Sequence, residues 1–156
     1  LKGLGSSVSK IRREAAETGL PYAEAAQGIT DLVRYTAVLS PDLLVDRATQ
    51  IQRELASQGW EQYDTKWRNY YAPGNTYNGY NCVFWNPRNG LAFELQFHTG
   101  ESLEIKEQVH LIYQQAREMG PGPERDALIE RMRGMWIGYQ RPAAWNSLAG
   151  VLITGY

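Results

Sequence analysis

Leu91-Ala-Phe-Glu-Leu-Gln-Phe-His-Thr99 decides the fold. It alternates with a period of two, the signature of a β-strand. Leu91, Phe93, Leu95 and Phe97 point to one side; Ala92, Glu94, Gln96 and His98 point to the other. The first face is a core face. The second sets a carboxylate, an amide and an imidazole in a row, about 6.5–7 Å apart along the strand. On the strand alone, the favoured reading of that row is the solvated side of an antiparallel sheet.

The strand has a hairpin partner just upstream. Tyr80–Trp85 is rich in aromatic and branched residues, and Asn86-Pro-Arg-Asn-Gly90 supplies turn chemistry between the two. Residues 71–79, with Pro73, Gly74, Asn75, Asn78 and Gly79, read as a loop. Residues 60–68 alternate weakly and end in Lys66-Trp67-Arg68. Asp31–Leu39 is a third β-rich run. Helices are expected from Ser6 or Ser7 to Thr18, from a Ser40 cap with Pro41 at the first position to Gly59, over 101–118, and over 124–136. Leu44, Ala48, Ile51 and Leu55 form the apolar stripe of the second helix; Ile105, Val109, Ile112 and Ala116 form that of the third. Lys106, His110, Tyr113 and Arg117 make a polar stripe on the third. Residues 120–156 read as a helical extension with an irregular tail. The order α-β-α-β-β-β-α-α gives an α+β class: a mixed, partly antiparallel sheet flanked by helices, in one domain over residues 1–156.

Composition narrows the function. The chain has 156 residues, 43% hydrophobic and 21% charged, ordinary for a globular domain with a real core. A net charge of −1 leaves no bulk attraction to nucleic acid or membrane, so any phosphate site must come from local clustering of the 16 Lys and Arg. No apolar run is long enough for a membrane span. The single Cys82 excludes an intrachain disulfide and a cysteine metal site. Ten Tyr and five Trp offer flat surfaces with polar handles, suited to bases, sugars or protein partners. A start at Leu1 rather than Met reads as a domain cut from a longer polypeptide.

Four features on separate elements are candidates for one site. Lys2, Ser7 and Lys10 surround the first helix start, where backbone N–H groups favour phosphate. Asp31 opens the first strand and, paired with Glu94, would suit Mg²⁺. Lys66 and Arg68 share a face by their two-residue spacing. Gly79-Tyr80 offers a flexible backbone and then a ring able to stack on a base. Taken singly, the first is favoured as a solvated, capped helix start and the fourth as a core or hairpin ring, while Asp31 alone is a turn residue and Lys66 with Arg68 a charged edge.

Together they resemble the RelA/SpoT-type alarmone synthetase domain. Lys2-Gly-Leu-Gly-Ser-Ser-Val-Ser-Lys10-Ile is similar to that family's ATP-phosphate helix start. Ile29-Thr-Asp31-Leu-Val-Arg34 resembles the strand with the Mg²⁺-binding Asp and an Arg against the donor adenine. Lys66-Trp-Arg68 resembles the Lys-x-Arg before the acceptor loop, and Tyr77-Asn-Gly-Tyr80 the loop whose Tyr stacks on the acceptor base. Phe93-Glu94-Leu-Gln96-Phe-His98-Thr99 resembles the strand with the catalytic Glu. Lys106, His110, Tyr113 and Arg117 match the helix that follows in many stand-alone and toxin-like members. The resemblance covers residues 2 to about 117.

It implies a pyrophosphokinase with Mg²⁺ as cofactor. Glu94, Gln96, Lys66 and Arg68 would be catalytic; Lys2, Ser7, Lys10, Arg13 and Arg34 would bind ATP. Tyr80, Asn81, His98 and His110 would bind the purine nucleotide acceptor, and Asp31 with Glu94 the metal. After the stacking Tyr the family carries Arg, then Ser or Asp; this chain carries Asn81-Cys82-Val83-Phe84. With no hydrolase or regulatory region, the chain looks most like the RelA-fold toxin domains of interbacterial type VI secretion effectors. That likeness implies an adenosine acceptor giving (p)ppApp, action in the target bacterium's cytoplasm, and a cognate immunity protein. Alternatives are a (p)ppGpp synthetase, a toxin acting on the tRNA 3′ end, or a non-catalytic nucleotide-binding module.

Overall fold

A computed structural model describes residues 4–21 and 33–156. Its elements are α1 (Leu4–Thr18), β1 (Arg34–Val38), α2 (Leu44–Ser57), β2 (Glu61–Asn69), β3 (Tyr80–Trp85), β4 (Ala92–His98), α3 (Gly100–Glu118), α4 (Pro123–Gly134) and β5 (Val151–Leu152). The five strands of the described residues form one sheet in the order β1-β4-β3-β2-β5. β4 lies near its centre, antiparallel to β3 and parallel to β1. β3 and β2 are antiparallel, and β5 runs parallel to β2 at the far edge. The α+β class with a mixed sheet is therefore the observed one. No helix of the described residues is long and apolar enough to cross a membrane.

The β3–β4 hairpin forms where turn chemistry placed it. Gly90 N–H donates to the Asn86 carbonyl at 2.8 Å, with Gly90 at φ +70°, where a side chain would strain the backbone. The register Tyr80↔Phe97, Cys82↔Leu95, Phe84↔Phe93 sorts the residues by face, because directly opposite residues share one. Tyr80, Cys82, Phe84, Leu95 and Phe97 are all buried in a core that also holds Leu44 and Ala48 of α2. Burying a ring such as Phe97 stabilises by about 1.5–3 kcal/mol. Leu91, expected on that face, precedes the strand and is 60% exposed.

The polar face of β4 is not wet. Glu94, Gln96 and His98 are 7%, 4% and 0% exposed. They are covered by α3, whose Lys106 reaches Gln96, and by the segment after β2. Thr99 starts α3 with a reciprocal capping box: Ser102 N–H donates to Thr99 Oγ1 at 3.0 Å, and Thr99 N–H to Ser102 Oγ at 2.9 Å. The turn from strand to helix is thereby fixed.

Two expectations are corrected. α2 starts at Leu44, not at Pro41, and carries no side-chain cap. The Pro41 carbonyl accepts from Ala143 N–H at 3.1 Å, and Leu43 N–H closes a separate turn on Ser40. The loop expected at 71–79 is observed, and Tyr71, Asn75, Thr76 and Asn78 within it are buried. The helical extension over 120–156 is helical only in α4 and a short 3₁₀ turn at Trp145–Ser147; its last part adds β5 to the sheet.

Candidate active site

Strand parity builds the floor of the site. Arg34 of β1 stands beside Glu94 in the parallel register, and Asn81 of β3 stands beside Gln96. Arg34 Nε donates to Glu94 Oε2 at 2.5 Å. Gln96 Nε2 donates to Glu94 Oε1 at 3.2 Å, and Lys106 Nζ donates to Gln96 Oε1 at 3.2 Å. One carboxylate thus sits between two cations, linked to the second through an amide. Burial depresses the Lys106 pKa, and the nearby Arg34 charge lowers it further.

Above this floor lies a cavity of about 240 Å³. Arg34, Glu94, Gln96 and Lys106 line its charged side; Tyr77, Tyr113 and Tyr156 are among its aromatic lining. Tyr77 is locked in place: its hydroxyl donates to Asn81 Oδ1 at 2.7 Å and lies 3.0 Å from His98 Nε2. Burial raises the Tyr77 pKa well above its ordinary value, and the Glu94 charge adds to the shift. The other ring nitrogen of His98 lies 2.9 Å from Ser102 Oγ. Burial, with some help from Lys106, lowers the His98 pKa to about 3, so the ring is neutral near pH 7.

The structure brings together only part of the residue set expected from sequence. Glu94, Gln96, Arg34, Asn81 and His110 border the cavity. Arg68 pairs with Asn81, which pairs with Gln96, so it stands on the same sheet face two strands, about 10 Å, from Gln96. Lys66 sits 5.4 Å from the centre of the Tyr63 ring and is not part of the cavity lining. A register shift in β2 between Gln62 and Trp67 turns this part of the strand. Arg13 is exposed on α1, 3.9 Å from Glu17, and Lys10 lies on the same helix; neither lines the cavity. Lys2, Asp31 and the Ser7 side chain lie outside the described residues.

Two assignments are corrected. Tyr80 is 0% exposed; its ring stacks on Phe97 at 5.6 Å and its hydroxyl accepts from Gln52 Nε2 at 2.8 Å. It shares the core face with Cys82 and Phe84 and offers no surface to a base. His98 is also 0% exposed and meets the cavity only through Tyr77, so it positions that ring rather than touching an acceptor. The sequence reading missed Tyr70, Tyr77, Thr76 and Tyr156 on the cavity wall. For Tyr77 a signal existed, since it opens the Tyr-Asn-Gly-Tyr loop. None existed for Tyr156.

Among the described residues no three His, Cys, Asp or Glu side chains cluster to hold a metal. Among the described residues Glu94 is the one acidic side chain lining the cavity; Gln96 Oε1 accepts from Lys106, and Asn81 Oδ1 from the Tyr77 hydroxyl. The Glu94 carboxylate fits Mg²⁺, which takes one or two carboxylates and completes its shell with water and phosphate.

A mixed sheet with a charged floor and an aromatic wall suits a ligand that carries phosphate at one end and a flat ring at the other. The fold is that of the small alarmone synthetases. A GTP pyrophosphokinase family protein from Streptococcus pneumoniae superposes with a TM-score of 0.55 at 18% identity, covering 82% of this chain and 65% of that one. Small alarmone synthetase 1 from Bacillus subtilis gives 0.56 at 17%, covering 86% and 70%. The same enzyme bound to its product pppGpp gives 0.55 at 18%, covering 82% and 68%. The chain thus spans about two thirds of the length of these structures. No family model matches the sequence, and no curated protein matches it.

Proposed function

We propose that this chain is a nucleotide pyrophosphokinase. It would transfer the β,γ-pyrophosphate of ATP to the ribose 3′-hydroxyl of a purine nucleotide, with an adenosine nucleotide preferred, giving (p)ppApp. The observation that carries the reading is the Arg34–Glu94–Gln96–Lys106 chain on the cavity floor of this fold. The acceptor 3′-oxygen gives its proton to the Glu94 carboxylate and bonds to the β-phosphorus. The bond between that phosphorus and the oxygen bridging to the α-phosphate breaks, and AMP leaves with the bridging oxygen. Gln96 orients Glu94. Arg34 and Lys106, both lining the cavity, would neutralise charge on the transferring group, the main catalytic task in phosphoryl transfer. Arg68 stands farther out on the same face for the outer phosphates, and His110 at the rim. Mg²⁺ would be held by Glu94 with Asp31 and would supply charge neutralisation on the donor phosphates. Lys2, Ser7, Lys10 and Arg13 remain the proposed donor-phosphate contacts.

Support for an adenosine acceptor comes from Asn81, an amide on the cavity wall where the resembling family has Arg. The biological role we infer is that of an interbacterial toxin, delivered by type VI secretion into the target cytoplasm and held in check by an immunity protein. The test is direct. Purified protein is incubated with labelled ATP and, in turn, AMP, ADP, GDP, GTP and tRNA, and the products are resolved. The expected result is a 3′-pyrophosphorylated adenosine nucleotide, lost by at least a hundredfold in Glu94→Gln, about the cost of removing one well-placed catalytic group. Turnover by Glu94→Gln at the wild-type rate rejects the assigned roles. Expression in a bacterium should arrest growth with the wild-type chain and not with Glu94→Gln.

A further inference from the structure

With Tyr80 in the core, the base of the acceptor needs another ring. Aromatic rings run as a ladder away from the floor. Tyr77 meets His98 edge-on at 5.6 Å, Tyr70 meets Tyr77 at 5.1 Å, and Tyr156 meets Tyr70 at 5.0 Å. Tyr70 is 7% exposed, whereas Tyr156 at the outer end is 49% exposed. Tyr113 on α3 is 39% exposed and lines the same cavity.

Tyr156 is not a loose end. Asn75, 1% exposed, donates from Nδ2 to the Tyr70 and Ile153 carbonyls, both at 2.9 Å. Its Oδ1 accepts from Tyr156 N–H at 2.9 Å, and Thr76 N–H donates to the Tyr156 carbonyl at 2.7 Å. β5 adds the pairing of Val151 and Leu152 with Arg68 and Asn69. The backbone that carries this ring is therefore fixed before any ligand arrives, which lowers the ordering cost of binding.

The geometry points to Tyr156, with Tyr113 on the α3 side, as the stacking surface for the acceptor's purine base. This assignment rests on the pyrophosphokinase reading. Stacking on a ring does not read the base edge, so adenine and guanine acceptors depend on Tyr156 alike. Discrimination between them falls to polar groups such as Asn81.

The test compares wild type, Tyr156→Leu, Tyr156→Phe and Tyr113→Ala. Leu keeps apolar volume against Tyr70 but cannot stack; Phe keeps the ring. Tyr156→Leu should raise the acceptor KM by about 5- to 100-fold, the loss seen when a base-stacking ring is removed. The KM for ATP and kcat should change less than twofold. Tyr156→Phe should stay within threefold of wild type, and Tyr113→Ala should raise the acceptor KM alone. An unchanged acceptor KM in Tyr156→Leu overturns the assignment, as does a matching rise in the ATP KM or a Phe variant as poor as Leu. Equilibrium binding of AMP and GDP, followed by tyrosine fluorescence, separates this from failure of the function. If wild type turns nothing over yet binds both nucleotides, and Tyr156→Leu does not, the stacking surface stands and the transferase reading falls. If wild type binds neither, both fall.

Discussion

Gly79→Ala is the most informative single change. A Cβ added there would lie 2.6 Å from His98 Cε1, 2.6 Å from the Tyr77 hydroxyl oxygen and 2.9 Å from Tyr77 Cζ. Non-bonded carbons rest at about 3.5–4.0 Å, so the neighbours must retreat by roughly an ångström. Neither has room. His98 is 0% exposed and held between Tyr77 and Ser102, and Tyr77 is held between His98 and Asn81. Overpacking of this kind costs about 1–3 kcal/mol. Parting Tyr77 from His98 and Asn81 leaves buried polar atoms unpaired, about 1–3 kcal/mol more. The sum is a loss of roughly 2–6 kcal/mol, or about 5–20 °C in melting temperature for a chain of this size. Urea unfolding of wild type and Gly79→Ala measures it. Two of the three contacts are to Tyr77, so Tyr77→Ala should absorb much of the penalty, leaving the double variant more stable than the summed single effects. A Gly79→Ala protein within about 0.5 kcal/mol of wild type, or strict additivity with Tyr77→Ala, would refute the reasoning.

Two further expectations concern stability. The folded-state pKa of His98, about 3, lies below the ordinary 6.5, so the unfolded chain binds the extra proton between those values. Stability should therefore fall as the pH drops through that window, by up to about 1.4 kcal/mol per unit from this residue. The difference in urea stability between wild type and His98→Gln, measured from pH 7 to pH 4, should shrink as the pH falls; a constant difference counts against a neutral buried ring. Asn75→Ala removes three hydrogen bonds, one to the nearby Tyr70 carbonyl and two, with the Ile153 carbonyl and Tyr156 N–H, that clip the C-terminal segment to the loop. It should cost about 2–4 kcal/mol and speed amide exchange at Ile153 and Tyr156 before the rest of the sheet; uniform exchange across the sheet would show that the clip is not what holds the tail.

The fold was legible where a residue pattern maps onto one face. Alternation in 91–99 and the turn residues at 86–90 give β4, the hairpin and its register, and register parity sorts the rest. That same parity places Tyr80 with Cys82 and Phe84 in the core, and the motif-based reading of Tyr80 as a stacking ring overrode it. Arg34 was visible as a cation on a strand, but its pairing with Glu94 depends on the parallel register of β1 and β4, which alternation within one strand does not fix. The buried loop at 71–79 has a surface-loop composition. Asn75 spends that polarity on backbone groups inside the protein, so the residues that usually mark solvent mark a clasp instead. β5 is two residues long, below the length at which any period can be read.

The clasp has a consequence for how the molecule is made. Asn75 and Tyr156 are 81 residues apart in sequence, and Asn69 and Trp145 are 76 apart. Contacts at such separation close large loops of chain and are gained slowly in folding. During synthesis, the sheet from β1 to β3 and the Arg34–Glu94 floor can form while the segment that carries Tyr156 does not yet exist. Of the rings on the cavity wall, Tyr70 and Tyr77 are thus made before Glu94 and Lys106, and Tyr156 joins them after the charged floor is already in place.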